Sequence, residues 1–349
     1  MGCDGSETEG HDVITASIVG ATGYTGALLT DILAAHPDVQ LRALTSKSYV
    51  GRRVCDIFPR LRVEGQYVEY SLPVVGKSDV VFVCYPHAEA HPAVADLVDA
   101  GCRVVDLSAD FRLKDSAAYL SWYGFDHPRS DLVAEAVYGL PEVYREQIRN
   151  ARLVANPGCY PTGMLLGLLP RAGDIDDLGV IVDSKSGVSG AGRTPSEKTH
   201  FCSVTEDFSS YSEVTHRHTA EMLQELALAT GGAVSVSFTP HLLPVDRGIL
   251  STLYFRPRGG LVGTDTLTER YRAFYANEPF VEVCERVPAL SEVSHTNFCR
   301  MAVREDERAG LVKVFTVIDN LMKGASGQAV QNMNLMFGLS EDQGLRRGT

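Results

Sequence analysis

The eight cysteines, at positions 3, 55, 84, 102, 159, 202, 284 and 299, include no C-x-x-C pair and no metal-ligand spacing. No metal site and no disulfide framework is therefore expected. Long apolar runs are also missing: nothing approaches the roughly 20 residues that span a bilayer, so no membrane partner is expected. Basic residues are in deficit, with 32 Lys and Arg against 44 Asp and Glu and a net charge of −12. A nucleic-acid partner would call for the opposite balance on at least one face. Residues 1–12 carry neither the basic nor the apolar region of a secretory signal and read as a disordered tail. Scattered thiols without an export signal suit the reducing cytoplasm. Repeats, heptads and Ser- or Pro-rich linkers are lacking as well, so any two domains should meet over a wide interface.

What is present is ordinary globular material. A chain of 349 residues suggests two domains. With 44% hydrophobic and 22% charged residues it can bury a sizeable core. Short β-branched runs at 13–20, 39–45, 79–85 and 102–107 alternate with helical patterns, one of them the stripe Leu28, Leu29, Ile32 and Leu33. Such alternation predicts right-handed βαβ units and a parallel, Rossmann-type sheet. A strand at 152–155, a helix at 162–169 and a strand at 180–184 follow. Beyond them, longer runs at 233–243, 248–257, 295–303 and 311–319 with few helices between predict a second, α+β domain on a mixed, largely antiparallel sheet. A helix at 326–338 closes the pattern. The expected division is a dinucleotide-binding domain over 13–157, completed by 325–349, and a catalytic and oligomerisation domain over 158–324.

The first strand runs into GATGYTG at 20–26. Gly20, Gly23 and Gly26 at a strand–turn–helix junction let the backbone turn tightly and approach a pyrophosphate, which the helix N-terminus stabilises. Thr22, Tyr24 and Thr25 complete the turn and count with it as cofactor-binding. An NAD enzyme would carry an acid at the end of its second strand to hold the ribose hydroxyls. Here that strand ends in Thr45, Ser46 and Lys47, with Arg52 and Arg53 beyond, which suits the 2′-phosphate of NADP(H).

In ANPGCYPT, at 155–162, Pro157 and Gly158 turn the chain and Pro161 fits the first position of a helix. Cys159 then sits at or just before a helix N-terminus, where the dipole lowers a thiol pKa and free N–H groups can hold an oxyanion. A buried structural cysteine is the alternative. His216, Arg217 and His218 precede Thr219, a good N-cap for a helix carrying Met222, Leu223 and Leu226. Beside that N-terminus an imidazole stays neutral, as a base must at pH 7. His218, next to the cap, is assigned proton transfer and His216 substrate orientation, with surface or capping histidines as the plain alternative. His241 is a third candidate of more structural character. The stretch SGVSGAGR at 186–193 could form an anion nest. Arg112 and Arg193 could grip phosphate or carboxylate bidentately, or be ion-paired to Asp110 or Glu197.

GATGYTG, DLSADFR, YGLPE, NPGCYPT, SGVSGAGR, HRHTAE and DNLMKGASGQAVQNMN, in that order, resemble the N-acetyl-gamma-glutamyl-phosphate reductases of arginine biosynthesis, relatives of the aspartate-semialdehyde dehydrogenases. The resemblance spans 13–337. It implies NADP-dependent reductive dephosphorylation of an acyl phosphate to an aldehyde, with Cys159 forming a thioester and a base within 216–218. It also implies cofactor contacts from Ser186, Gly187, Asn320 and Gln328. Substrate contacts fall on Asn156, Arg112, Arg193, Arg217 and Glu221. The expected partners are the small acyl phosphate and inorganic phosphate, and the expected assembly is a homodimer or homotetramer. Two alternatives remain open at this point: an aminoadipyl phosphate of lysine biosynthesis as substrate, and a non-catalytic dinucleotide sensor, which would keep the glycine turn but need neither Cys159 nor the histidines.

Overall fold

The computed structural model describes residues 13–346; the tail expected at 1–12 lies outside them. β1 (Ile14–Val19), β2 (Val39–Leu44), β3 (Val80–Val83), β4 (Arg103–Asp106), β5 (Val137–Tyr138) and β6 (Leu153–Ala155) form a six-stranded sheet in the order β2-β1-β3-β4-β6-β5. Every pairing in it is parallel. β3 is wholly buried, as a strand covered on both faces must be. α1 (Tyr24–Ala34) and α2 (His91–Asp99) are its principal early crossovers, and α3 (Pro141–Arg149) precedes β6.

α4 (Cys159–Leu168) leads into the second sheet, made of β7 (Ile175–Gly187), β8 (Ser209–Ser210), β9 (Val236–Leu243), β10 (Ile249–Pro257), β11 (Val281–Val283), β12 (Cys299–Asp306) and β13 (Leu311–Ile318). Its order is β11-β12-β13-β10-β7-β9-β8. β7–β9 and β11–β12 pair in parallel and the rest antiparallel, the mixed sheet expected. α4 is apolar almost throughout because it is covered on both sides. Gly163 lets it approach Thr316 closely, and Met164, Leu165 and Leu168 join the core of β7, β10 and β13. α5 (His218–Thr230) covers its other side, and α6 (Thr264–Phe274) adds Leu267 and Tyr271 to the same core.

α7 (Gly327–Met336) returns to the first sheet, where Ala329, Val330, Met333 and Met336 share a core with Ile14, Ile18, Leu29 and Phe82. Its N-terminal extension departs from the expected α-helix at 326–338. Met322–Ser326 is a π-helical turn, closed by Gly324 N–H on Asp319 O and Ser326 N–H on Leu321 O. Other boundaries move too, among them the start of α4, at Cys159 rather than 162, and of β9, at Val236 rather than 233. β12 begins at Cys299 rather than 295, because His295 takes a left-handed φ of 63° that no strand permits. β7 runs from Ile175 to Gly187, beyond both ends of the 180–184 read from sequence. Among the described residues no helix is long and apolar enough to cross a membrane.

Candidate active site

Two strand–turn–helix junctions carry the site, and the segment 322–326 contacts both. The first is the glycine turn. Gly20 adopts φ of 80° and donates its N–H to Thr45 Oγ1 at 3.1 Å. A Cβ on Gly26 would stand 2.5 Å from Gly20 O, so only glycine lets α1 start this close to β1. Gly23 is the N-cap of α1, and a Cβ there would meet nothing nearer than 4.0 Å. The helix N-terminus, with its unsatisfied N–H groups, therefore has open space at its glycine cap. Thr22 Oγ1 lies 3.2 Å from Ser46 Oγ, which also accepts the N–H groups of Ser48 and Tyr49. Lys47 is exposed and ion-paired with Glu89 at 2.9 Å. Arg193 reaches over from the second domain, donates to Thr22 O at 3.0 Å and lies against the rings of Phe58 and Tyr49. Ser326 donates to Thr25 O at 3.0 Å. The glycine turn, the helix N-terminus and the hydroxyls at the β2 end fit a dinucleotide.

The second junction carries Cys159, the first residue of α4, with Gly158 as N-cap and Pro161 in the third position rather than the first. Beneath it lies a buried ion pair, Arg112 Nη1 to Glu221 Oε1 at 2.9 Å. Glu221 Oε2 accepts the N–H of Gly158 at 2.9 Å and the hydroxyl of Tyr138 at 3.0 Å. Arg112 also donates to Asn156 O and Leu107 O. Both charges are thus spent inside the protein, and neither lies free in the cleft as the substrate contacts expected of them would require. Asp110, the partner considered for Arg112, accepts instead from the N–H groups of Ala88, Ala90 and His91. Asn156 is buried too, donating to Ala325 O and accepting from Asn332.

Burial pushes the Cys159 thiol up to about 11, with the Arg112 charge offsetting part of the shift. The sign is opposite to the one expected from helix position, because removal from water outweighs a helix terminus. The His218 ring lies directly over this turn. A Cβ on Gly158 would be 2.7 Å from His218 Nε2, and one on Gly324 would be 2.8 Å from the Cβ of Cys159. α5 starts at His218 and not after Thr219. In place of a hydroxyl cap, His216 Nδ1 accepts the N–H of His218 at 3.2 Å, which leaves the proton of a neutral His216 on Nε2. The two imidazole rings are 4.8 Å apart. Burial holds His218 well below its ordinary range and, with the Arg217 charge, lowers His216 to about 4. Both are neutral at pH 7.

Cys159, His216, Arg217 and His218 line one cleft of about 580 Å³, with Ser186 and Gly187 at the end of β7. Arg217 is exposed there, over the ring of Tyr123, and no carboxylate pairs with it among the described residues. Asn320 and Gln328 are buried supports. Asn320 accepts from Gly248 N–H and donates to Ser189 Oγ, while Gln328 donates to Gly139 O. His241 faces Asp183 at 3.2 Å and does not line the cleft. Among the cleft residues that escape a reading of the sequence are His87, Lys198 and Tyr211. His87 follows β3, at the carboxyl end of a parallel strand where ligands gather, and that position was the available signal. Its Nδ1 accepts from Ala109 N–H, and burial lowers it to about 3.

Residues 15–151 match the model of the semialdehyde dehydrogenase NAD-binding domain, and residues 159–320 that of the semialdehyde dehydrogenase dimerisation domain. The chain is 49% identical to an N-acetyl-gamma-glutamyl-phosphate reductase of Pelotomaculum thermopropionicum, over 95% of this chain and 97% of that one. It is equally similar to one of Ectopseudomonas mendocina, at 49% over 95% and 98%. Among solved structures, aspartate semialdehyde dehydrogenase II of Vibrio cholerae, complexed with ASA, superposes with a TM-score of 0.71 at 18% identity, over 93% of this chain and 98% of that one. The aspartate semialdehyde dehydrogenase of Candida albicans, solved with NADP, does so at 0.68 and 16%, over 93% and 98%. At those identities the likeness carries the fold alone, whereas the relatives at nearly half identity over nearly the full length carry the family. The chain belongs to the N-acetyl-gamma-glutamyl-phosphate reductases, within the semialdehyde dehydrogenases.

Proposed function

We propose that the protein catalyses NADPH-dependent reduction of N-acetyl-gamma-glutamyl phosphate to the semialdehyde and inorganic phosphate, a step of arginine biosynthesis. The observation that carries this is the placement of Cys159, first residue of α4, in one cleft with two neutral imidazoles. Residues 13–157 with the C-terminal helix serve as the cofactor unit, and 158–324 as the catalytic and oligomerisation unit, assembled as a homodimer or homotetramer. Seven free cysteines among the described residues support a cytoplasmic setting.

Because its thiol is the resting form, Cys159 needs a base. Its proton passes to an imidazole, assigned to His218, as Sγ attacks the acyl carbonyl. The free N–H groups at the start of α4 take the charge that develops on the carbonyl oxygen. The C–O bond to phosphate breaks and leaves a thioester on Cys159. The glycine turn at 20–26 would hold NADPH, which would supply the hydride for reduction of this thioester. The resulting thiohemiacetal collapses by breaking its C–S bond, releasing the aldehyde, and the imidazolium returns its proton to sulfur. Glu221 and Arg112 hold the Gly158 turn from below, and Arg217, a cation of the cleft with no carboxylate partner among the described residues, is placed for the substrate's carboxylate. A panel of acyl phosphates tests the substrate: NADPH oxidation should be fastest with N-acetylglutamyl phosphate. A higher kcat/KM for the aminoadipyl homologue would redirect the assignment to lysine biosynthesis.

A further inference from the structure

Two stretches of the sequence, YGLPE and DNLMKGASGQ, have no part in the chemistry above, and they meet inside the molecule. Lys323 is fully buried in the π-helical turn. Its Nζ donates to Glu142 Oε1, in the first turn of α3, at 2.7 Å and to Gln331 Oε1, on α7, at 2.8 Å. Neither partner of the ion pair has any side-chain exposure. Glu142 Oε2 accepts no hydrogen bond, so Lys323 is the main compensation for a carboxylate inside the protein.

A buried ion pair is a poor way to gain stability, since apolar residues of like volume often do as well; its better-attested use is to fix one arrangement among several. The arrangement here is specific. A π turn is a rare conformation that needs outside support. This one sets the Cα of Gly324 so close to Cys159 that only a hydrogen fits between them. The same turn sends Ser326 to Thr25 O in the glycine turn and Ala325 O to Asn156 beside Cys159. Asn320, just before it, holds Ser189 of the cleft loop. One short segment thus touches both junctions and the cleft wall, and its single charged side chain anchors it to α3.

We propose that Lys323, paired with Glu142, is a positioning residue that fixes Cys159 in the cleft by holding the π turn against it. The inference rests on the reading of Cys159 as nucleophile. Lys323→Met leaves Glu142 buried alone and should lower the melting temperature sharply. Combining it with Glu142→Gln removes both charges and should restore most of that loss. In the double variant, NADPH affinity by fluorescence titration should stay within twofold of wild type. The burst of phosphate released in a single turnover of acyl phosphate should nonetheless be at least tenfold slower, as small displacements of a reacting atom commonly cause. Lys323→Arg, which keeps the charge, should recover part of the burst rate. A double variant with wild-type melting and a wild-type burst rate would overturn the proposal and leave the pair a purely stabilising one. Failure of the nucleophile reading would show separately, as a phosphate burst that survives in Cys159→Ser.

Discussion

The glycine turn and the Cys159 turn are built alike and behave in opposite ways. Each is a strand, a glycine N-cap and a helix, Gly23 before α1 and Gly158 before α4. Around Gly23 there is open space, and the helix start is left to whatever binds it. Around Gly158 the space is filled: Glu221 takes its N–H from below and His218 covers it from above. An exposed helix N-terminus is an anion site. One covered from both sides raises the pKa of its first side chain and so favours the neutral thiol. The local motif is the same, and burial decides which chemistry it serves.

Replacing Cys159 by Ser separates the two junctions most strongly. Turnover should fall on the order of 10³-fold or more, as when one member of a catalytic unit is lost, while NADPH still binds the untouched glycine turn. Retention of a tenth of the activity would make Cys159 structural. His218→Asn should cost about 10²-fold in kcat, the usual worth of a positioned base, and His216→Asn should chiefly raise KM.

The pH dependence adds a sign. A base works only when unprotonated, so activity is lost as pH falls through its folded-state pKa. With His216 lowered to about 4 and His218 held well below its ordinary range, kcat should stay level from neutrality down to near pH 5. An acid limb centred near 6.5 would mean that these rings are solvated. Conversely, with the thiol raised to about 11, alkylation of Cys159 by iodoacetamide should climb about tenfold per pH unit from 7 to 10. A plateau reached by pH 8 would restore the thiolate that helix position alone suggests.

Gly26→Ala attacks the other junction. Its Cβ meets backbone on both sides, Gly20 O at 2.5 Å and Ala21 Cα at 2.7 Å, so the turn must open. Overpacking of this kind costs about 1–3 kcal/mol, which read as binding is roughly 5- to 150-fold in the Kd for NADPH. Unchanged affinity would show the turn to be no cofactor site. The smallest effect belongs to the β2 end. Lys47 is exposed and shared with Glu89, so Lys47→Ala should reduce the preference for NADPH over NADH only a few-fold, as exposed ion pairs contribute little. Glu89→Gln, which frees Lys47, should sharpen it. Equal kcat/KM for the two cofactors in the wild type would remove the assignment of Ser46 and Lys47.

The sequence announces the glycine turn and the helix at Cys159 because both depend on residues a few positions apart. It does not announce what closes over them. Arg112 and Glu221 are 109 positions apart, and each taken alone looks like a ligand for an anion or a polar surface group. The direction of the Cys159 shift is hidden for the same reason, since helix position is local and dehydration is not. Thr219 has the chemistry of an N-cap, yet the helix already starts at His218, whose N–H goes to the imidazole of His216, an arrangement that residue preferences do not rank. His87 sits at a visible strand end, but only the folded sheet turns it toward the cleft. α6 is hard to read from sequence although Leu267 and Tyr271 stand four apart, because only two of its apolar positions mark the buried face and strands flank it on both sides.

The return of α7 to the first sheet also governs how the chain comes into being. Ile14, Ile18 and Phe82 leave the ribosome early, but Ala329, Val330 and Met333, which cover them, are among the last residues made. At 5–20 residues per second, roughly 10–40 s separate β6 from the end of α7. Throughout that interval the nascent parallel sheet lacks its lid and exposes an apolar face, a natural client for a chaperone. A chain truncated before Gly327 should therefore bind the dye ANS strongly and aggregate; a truncated chain that stays monomeric and dye-free would show that the sheet completes itself without its last helix.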